Sequence, residues 1–293
     1  MKRFTRFLYA HPGGRLGLLL GPAVLWLLVF YLVALVLLLL TSLWQQDVFT
    51  SELTHNWTLD NYDKLFSGQG GLWLRIFGRT VLLAVVVTLV DALLAFPLAW
   101  FMARVVSPRW RTLLFLAVVV PLWSSILVRI FAWRTILGGS GVLNSLLIDI
   151  GILDKPSSAF LYNDNAIAIT WAYVWLPFMV LPLYTALEKI PTSYLEASRD
   201  LGAGGFTTFR RVVLPLAFPG LVAGSIFVFS LTMGDFVAPQ LVGGGSQVLG
   251  GAIKDRFGVA ADYPFGAALA SLTLVTLMGF LFVSRRAGAL ENL

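Results

Sequence analysis

Side chains able to carry covalent or metal chemistry are scarce in this sequence. It has no cysteine and only two histidines, His11 and His55. The missing thiols exclude disulfides, thiol nucleophiles and cysteine metal sites. The histidines lie too far apart for the HExxH spacing of a zinc helix. The five lysines follow Met1, Asp63, Asp154, Glu188 and Ile253, never glycine, so there is no Walker A loop. The chain is not expected to hydrolyse ATP itself. What remains suits binding: two carboxylates, Asp91 and Asp235, and an aromatic set at Trp171, Tyr173, Trp175 and Tyr184. Carboxylates attract ammonium groups, and indole faces hold alkylammonium by cation–π contact. Trp171 and Trp175 are four apart and share one helix face. The same stripe also suits plain helix packing.

The elements that must position these groups follow from composition. Of 293 residues, 58% are apolar and 12% charged. Soluble domains are nearer half apolar and a quarter charged. Too little polar surface is left to cover a water-soluble globule. A bilayer core about 30 Å thick needs roughly 20 apolar residues of helix. Charges punctuate six such stretches, which predicts one all-α membrane domain over 1–293. The spans fall at about 16–42, 80–103, 112–130, 165–187, 212–234 and 263–284.

Lys2, Arg3 and Arg6 look like a signal-peptide n-region, but the apolar stretch after them is too long for an h-region. Leu43-Trp44-Gln45-Gln46 offers no small-residue cleavage site, so an uncleaved anchor is expected. Asp91 falls near the middle of the second span, where an ionisable group faces the protein interior or a wet path. Three readings stay open for it: contact with a passing ammonium, a pair with Arg129, or a hydrogen bond to Thr88. Asp235 ends the fifth span, as a cargo contact or as an ordinary solvated helix end. Gly220-x-x-x-Gly224 has the spacing of close helix packing.

Orientation follows from the basic residues. With the N-terminus inside, the head, the 104–111 and 188–211 loops and the tail hold thirteen Lys and Arg against four acids, a net +9. The rest carries −3 of the formal +6. Both termini are therefore expected in the cytoplasm. The bases flank helices singly or in pairs and form no stripe, so nucleic-acid binding is not expected. The outer loops, about 43–78, 138–165 and 235–262, are too short for a separate domain.

The most specific segment is the loop after the fourth span, Pro191-Thr192-Ser193-Tyr194-Leu195-Glu196-Ala197-Ser198-Arg199-Asp200-Leu201-Gly202. Pro191 blocks continuation of the preceding helix. Ser193 and Glu196 are spaced as a capping box, and Gly202 supplies a left-handed stop. A helix of about two turns outside the membrane is predicted.

This loop resembles the signature of permease subunits of bacterial binding-protein-dependent ABC importers. That signature reads Glu-Ala-Ala, three residues, Gly, nine residues, then Ile-x-Leu-Pro. Here it stands as Glu196-Ala197-Ser198, Gly202, then Val212-Val213-Leu214-Pro215, with Ser198 and Val212 as small departures. The resemblance implies a type I importer permease fold of six helices in the bacterial inner membrane. It also implies a coupling segment at about 192–214 that docks into a cytoplasmic ATPase dimer. Glu196 would face an ATPase base, Ala197 would permit close approach, Gly202 would set the turn, and Ser198, Leu214 and Pro215 complete the motif. Capping and coupling are compatible roles for Glu196. ATP and Mg would be held by the ATPase and no cofactor by this chain. Further partners implied are a second permease in a heterodimer, a periplasmic binding protein and membrane lipid.

Within that family the chain is most similar to spermidine and putrescine permeases. The segments that carry this are Asn56-Trp57-Thr58-Leu59-Asp60-Asn61-Tyr62, Leu176-Pro177-Phe178-Met179, Met233-Gly234-Asp235-Phe236 and Tyr263-Pro264-Phe265-Gly266. They are shared with permeases for opines and aminoalkylphosphonates; amino acids and iron are further alternative cargoes. On this reading Asp91, Trp171, Trp175 and Asp235 line the substrate path. An autonomous channel or secondary transporter would leave the 191–202 signature unused, and an intramembrane enzyme would lack catalytic groups.

Overall fold

The computed structural model describes residues 12–286 except 48, 49 and 51. Lys2, Arg3, Arg6 and Glu291, assigned above to the head and tail, lie outside the described residues. Six stretches among them are long and apolar enough to cross a membrane: Leu20–Thr41, Leu72–Val105, Ile126–Asp149, Asp164–Glu188, Gly205–Gly234 and Tyr263–Arg286. Within a bilayer only structures that satisfy their own backbone hydrogen bonds survive, which is why these stretches are helical.

The first stretch comprises α1 (Pro12–Leu27), a π turn (Leu28–Leu32) and α2 (Val33–Thr41). Two short strands, β1 (Gln45–Gln46) and β2 (Leu53–Thr54), pair antiparallel with Gln45 opposite Thr54. This hairpin is a small departure from the all-α expectation. Next come α3 (Asp60–Ser67) and the long α4 (Leu72–Trp100), which ends in a π turn (Phe101–Val105).

One helix was expected over 112–130. Two are found, α5 (Pro108–Trp123) and α6 (Ile126–Leu137), separated at Ser124–Ser125, both extended. The hydroxyl of Ser124 donates to the Pro121 carbonyl at 2.7 Å, and its backbone N–H donates to the same oxygen at 3.2 Å. A serine bonding its own turn in this way competes with helix continuation. Hydropathy does not reveal it.

After α7 (Val142–Asp149) the chain enters α8 (Asp164–Glu188), the most buried of the long helices. Asn163 caps it, its side-chain oxygen accepting from Ala166 N–H at 2.9 Å. Then follow α9 (Thr192–Asp200), α10 (Gly205–Thr208), a π turn (Phe209–Val213), α11 (Leu214–Gly234), α12 (Val237–Val242), α13 (Leu249–Phe257) and α14 (Tyr263–Arg286).

The core is built on α8, with α4 and α11 packed against it. Lipid tails are as apolar as leucine, so such helices associate through close packing and internal polar bonds. Gly220 and Gly224 supply the close approach. A Cβ on Gly224 would lie 2.6 Å from Met179 Sδ, and one on Gly220 would lie 2.7 Å from the Pro182 carbonyl oxygen.

Candidate functional site

The 192–214 segment forms a cap on one end of the bundle. α8 stops at Glu188, and the guanidinium of Arg104 reaches across from the end of α4 to meet carbonyls there. Arg104 donates to the Leu187 oxygen at 2.6 Å and also to that of Ile190. Arg111 pairs with Glu188 at 3.2 Å, and the Tyr184 hydroxyl donates to the same carboxylate at 2.9 Å. The start of the signature loop is thereby fixed to α4, α5 and α8.

α9 begins two residues earlier than its sequence suggested. Pro191, in extended conformation, occupies the cap, and no side chain makes a capping bond. The capping box of Ser193 and Glu196 therefore does not form. Ser193 sits inside the first turn, too far along to receive the first free N–H groups. The other end of α9 follows expectation. Gly202 has φ +76°, its N–H bonds to the Arg199 carbonyl at 2.8 Å, and Ala203 N–H bonds to that of Ser198 at 3.0 Å. These are the two bonds of a Schellman stop, which favours glycine at the left-handed position.

Glu196 and Ala197 are exposed, while Ser198 faces inward and is 9% exposed. Beyond the turn, Leu201 and Phe206 are 87% and 76% exposed. The segment thus presents a carboxylate and two large apolar side chains on its surface. Behind it lies a cavity of about 240 Å³ bounded by Trp100, Leu195, Arg199, Thr208, Phe209 and Val213. The chain re-enters the bundle through the π turn, in which Leu214 N–H bonds to the Phe209 carbonyl five residues back. Leu214 and Pro215 then open α11, which continues directly from the π turn.

The four residues assigned to a substrate path lie elsewhere, along the α4–α8–α11 seam. Asp91 is fully buried, and neither carboxylate oxygen has a hydrogen-bond partner among the described residues. Both structural partners considered for it are engaged elsewhere. Thr88 donates to the Ala84 carbonyl at 2.7 Å, and Arg129 donates to that of Val174 at 3.3 Å. Trp171 is fully buried and donates through Nε1 to Asp235 Oδ2 at 2.5 Å. Trp175, also buried, leaves its Nε1 unpartnered.

Asp235 is no freely solvated helix end. Its carboxylate also accepts from Val237 N–H at 3.0 Å and from Ala238 N–H at 3.2 Å, capping α12. The structure thus brings Trp171 and Asp235 together and buries Asp91 in a closed seam.

Two contacts escaped the sequence reading. Arg79 and Asp164, read only as borders of spans, form an ion pair that also holds the Ser246 hydroxyl at 2.8 Å. Ser198 and Thr208 share a buried hydrogen bond at 2.9 Å. Opposite charges at the same end of neighbouring spans were a usable signal for the first. Nothing in the sequence announced the second.

Among the described residues no group of three or more His, Asp or Glu is placed to hold a metal. Six helices long and apolar enough to cross a bilayer define a multi-pass membrane protein. The chain belongs to the family described as "Binding-protein-dependent transport system inner membrane component", which matches residues 79–291. It is an inner-membrane permease subunit of an ABC importer.

It is 39% identical to the inner membrane ABC transporter permease protein YdcU of Escherichia coli, over 99% of this chain and 95% of that one. Identity to the spermidine/putrescine transport system permease protein PotB of Haemophilus influenzae is 38%, covering 91% and 92% of the two chains. Among solved structures, a bacterial ABC transporter involved in import of the acidic polysaccharide alginate matches with a TM-score of 0.69. That match has 19% identity and covers 97% of this chain and 99% of that one. At that identity the likeness speaks for the fold alone.

Proposed function

We propose that this subunit carries a small cationic solute of the polyamine class, such as spermidine or putrescine, inward across the membrane. The observation that supports this cargo is the 37–38% identity to spermidine/putrescine permeases over 91% of the chain. The work would come from ATP hydrolysis, with Mg, on a separate cytoplasmic ATPase dimer. A periplasmic binding protein would deliver the cargo, and a second, non-identical permease would complete the pore.

In this reading both termini face the cytoplasm, as the distribution of Lys and Arg favours. α9 enters the ATPase groove with Glu196 opposite a basic residue, Ala197 at the closest approach and Gly202 ending the helix. Ser198, Leu214 and Pro215 link that helix to α11. Asp91, Trp171, Trp175 and Asp235 belong to the path that opens when the α4–α8–α11 seam separates. Asp91 then offers an unpaired carboxylate to an ammonium group, an arrangement worth more in low dielectric than in water.

The test is reconstitution of the four components in proteoliposomes with labelled spermidine. ATP-dependent uptake that disappears in Glu196→Arg supports the scheme. Uptake by this chain without an ATPase refutes it, and a binding protein that ignores polyamines refutes the cargo.

A further inference from the structure

The ATPase-contact helix has to deliver its displacement to the bundle, and the structure shows where the two are joined. Ser198 stands at the position where the family signature has alanine, and its hydroxyl is buried against that of Thr208 on α10. The Oγ–Oγ1 distance is 2.9 Å, across a turn that contains Gly202, Gly204 and Gly205. Three glycines in four residues would let α9 and α10 hinge freely, because glycine gives the backbone its widest range. The Schellman bonds fix one end of the turn, and among the described residues the hydroxyl pair is the side-chain hydrogen bond that bridges from the helix before it to the helix after it.

A hydroxyl buried without a partner is penalised, so the two side chains hold each other in register. Immediately after Thr208 comes the π turn into α11, with Phe209 ring-to-ring against Phe96 of α4 at 5.2 Å. From these contacts we infer that Ser198 and Thr208 are positioning residues that make α9 and α10 one rigid lever, so that movement of α9 reaches α11 undiminished. The inference rests on the reading of α9 as the ATPase-docking helix.

The native chain contains no cysteine, which permits a direct test. In the assembled transporter, a Ser198→Cys, Thr208→Cys variant places two thiols where the hydroxyls meet. A rigid lever predicts that the oxidised, bridged form transports per ATP as well as the unaltered complex. Reduction to the weakly bonding thiols lowers that ratio about threefold to tenfold, the factor that one net hydrogen bond supplies.

Ser198→Ala with Thr208→Val gives a matched apolar pair. It should keep normal thermal stability while losing the same factor in transport per ATP; Thr208→Ser should retain coupling. A bridged form that is assembled but inactive would show that the turn must hinge, and would overturn the inference. So would failure of the bridge to form, or an apolar pair with unchanged coupling. ATPase association that survives Glu196→Arg would instead remove the docking reading, whatever the bridge does.

Discussion

The indole of Trp171 and the carboxylate of Asp235 form one hydrogen bond of 2.5 Å that ties the N-terminal third of α8 to the corner between α11 and α12. The same carboxylate caps α12 through two backbone N–H groups. A side chain that looked free to greet cargo is therefore part of a joint, and loss of the joint has a definite cost. Trp171→Phe keeps a six-membered aromatic ring, removes the donor and leaves a void where the five-membered ring stood. It should destabilise the detergent-solubilised subunit by about 2 kcal/mol, in the range for hydrogen bonds to charged groups. Asp235→Ala, which also removes the cap, should cost more, and thermal unfolding ranks the two.

Asp91 leads to the opposite sign for stability. A buried carboxylate with no partner is unfavourable, and a neutral group of similar shape relieves it. Asp91→Asn should raise the unfolding temperature of the complex. If the carboxylate meets cargo when the seam opens, the same variant lowers polyamine uptake by about tenfold, equivalent to about 1.4 kcal/mol. Uptake equal to that of the unaltered protein, with the gain in stability, would remove Asp91 from the path.

Packing between α8 and α11 should be unforgiving at Gly224. A Cβ there would fall 2.6 Å from Met179 Sδ and 3.1 Å from the Met179 carbonyl oxygen. Gly224→Ala should cost about 1–3 kcal/mol, the usual penalty for overpacking. Shortening the facing side chain with Met179→Ala clears only the sulfur, so rescue should be partial. A full return to the original melting temperature would mean that the backbone contact is unimportant.

Arg104 donates to the carbonyl oxygens of Leu187 and Ile190 where α8 ends. Arg104→Met preserves the stem and deletes the donors. We expect a loss of about 2 kcal/mol in subunit stability and faster hydrogen exchange confined to residues 187–192. Unchanged exchange there would show that water serves those carbonyls equally well.

Much of this organisation was legible from punctuation. The spaced bases announced the membrane helices, and Gly202, with Glu196 and Pro215 at their distances, announced the contact helix and its family. Ser193 misled because proline at 191 was read as a stop for one helix, when it also serves as the start of the next. The break at Ser124 stayed hidden because one hydroxyl bond decides it within an otherwise apolar run. Asp91 showed its depth but not its solitude, because that depends on where Arg129 and Thr88 find other acceptors. The pair Arg79 and Asp164 joins residues 85 positions apart, beyond the reach of local spacing.

Between Pro22 and Leu37 of the first stretch every side chain is exposed on this subunit, and α2 packs on α14. Those positions answer to partition into hydrocarbon, a criterion that leucine, valine and isoleucine meet about equally. The sequence there is free to drift among apolar residues, whereas Gly220 and Gly224 are constrained by shape. The family match begins at Arg79, so this helix lies before it.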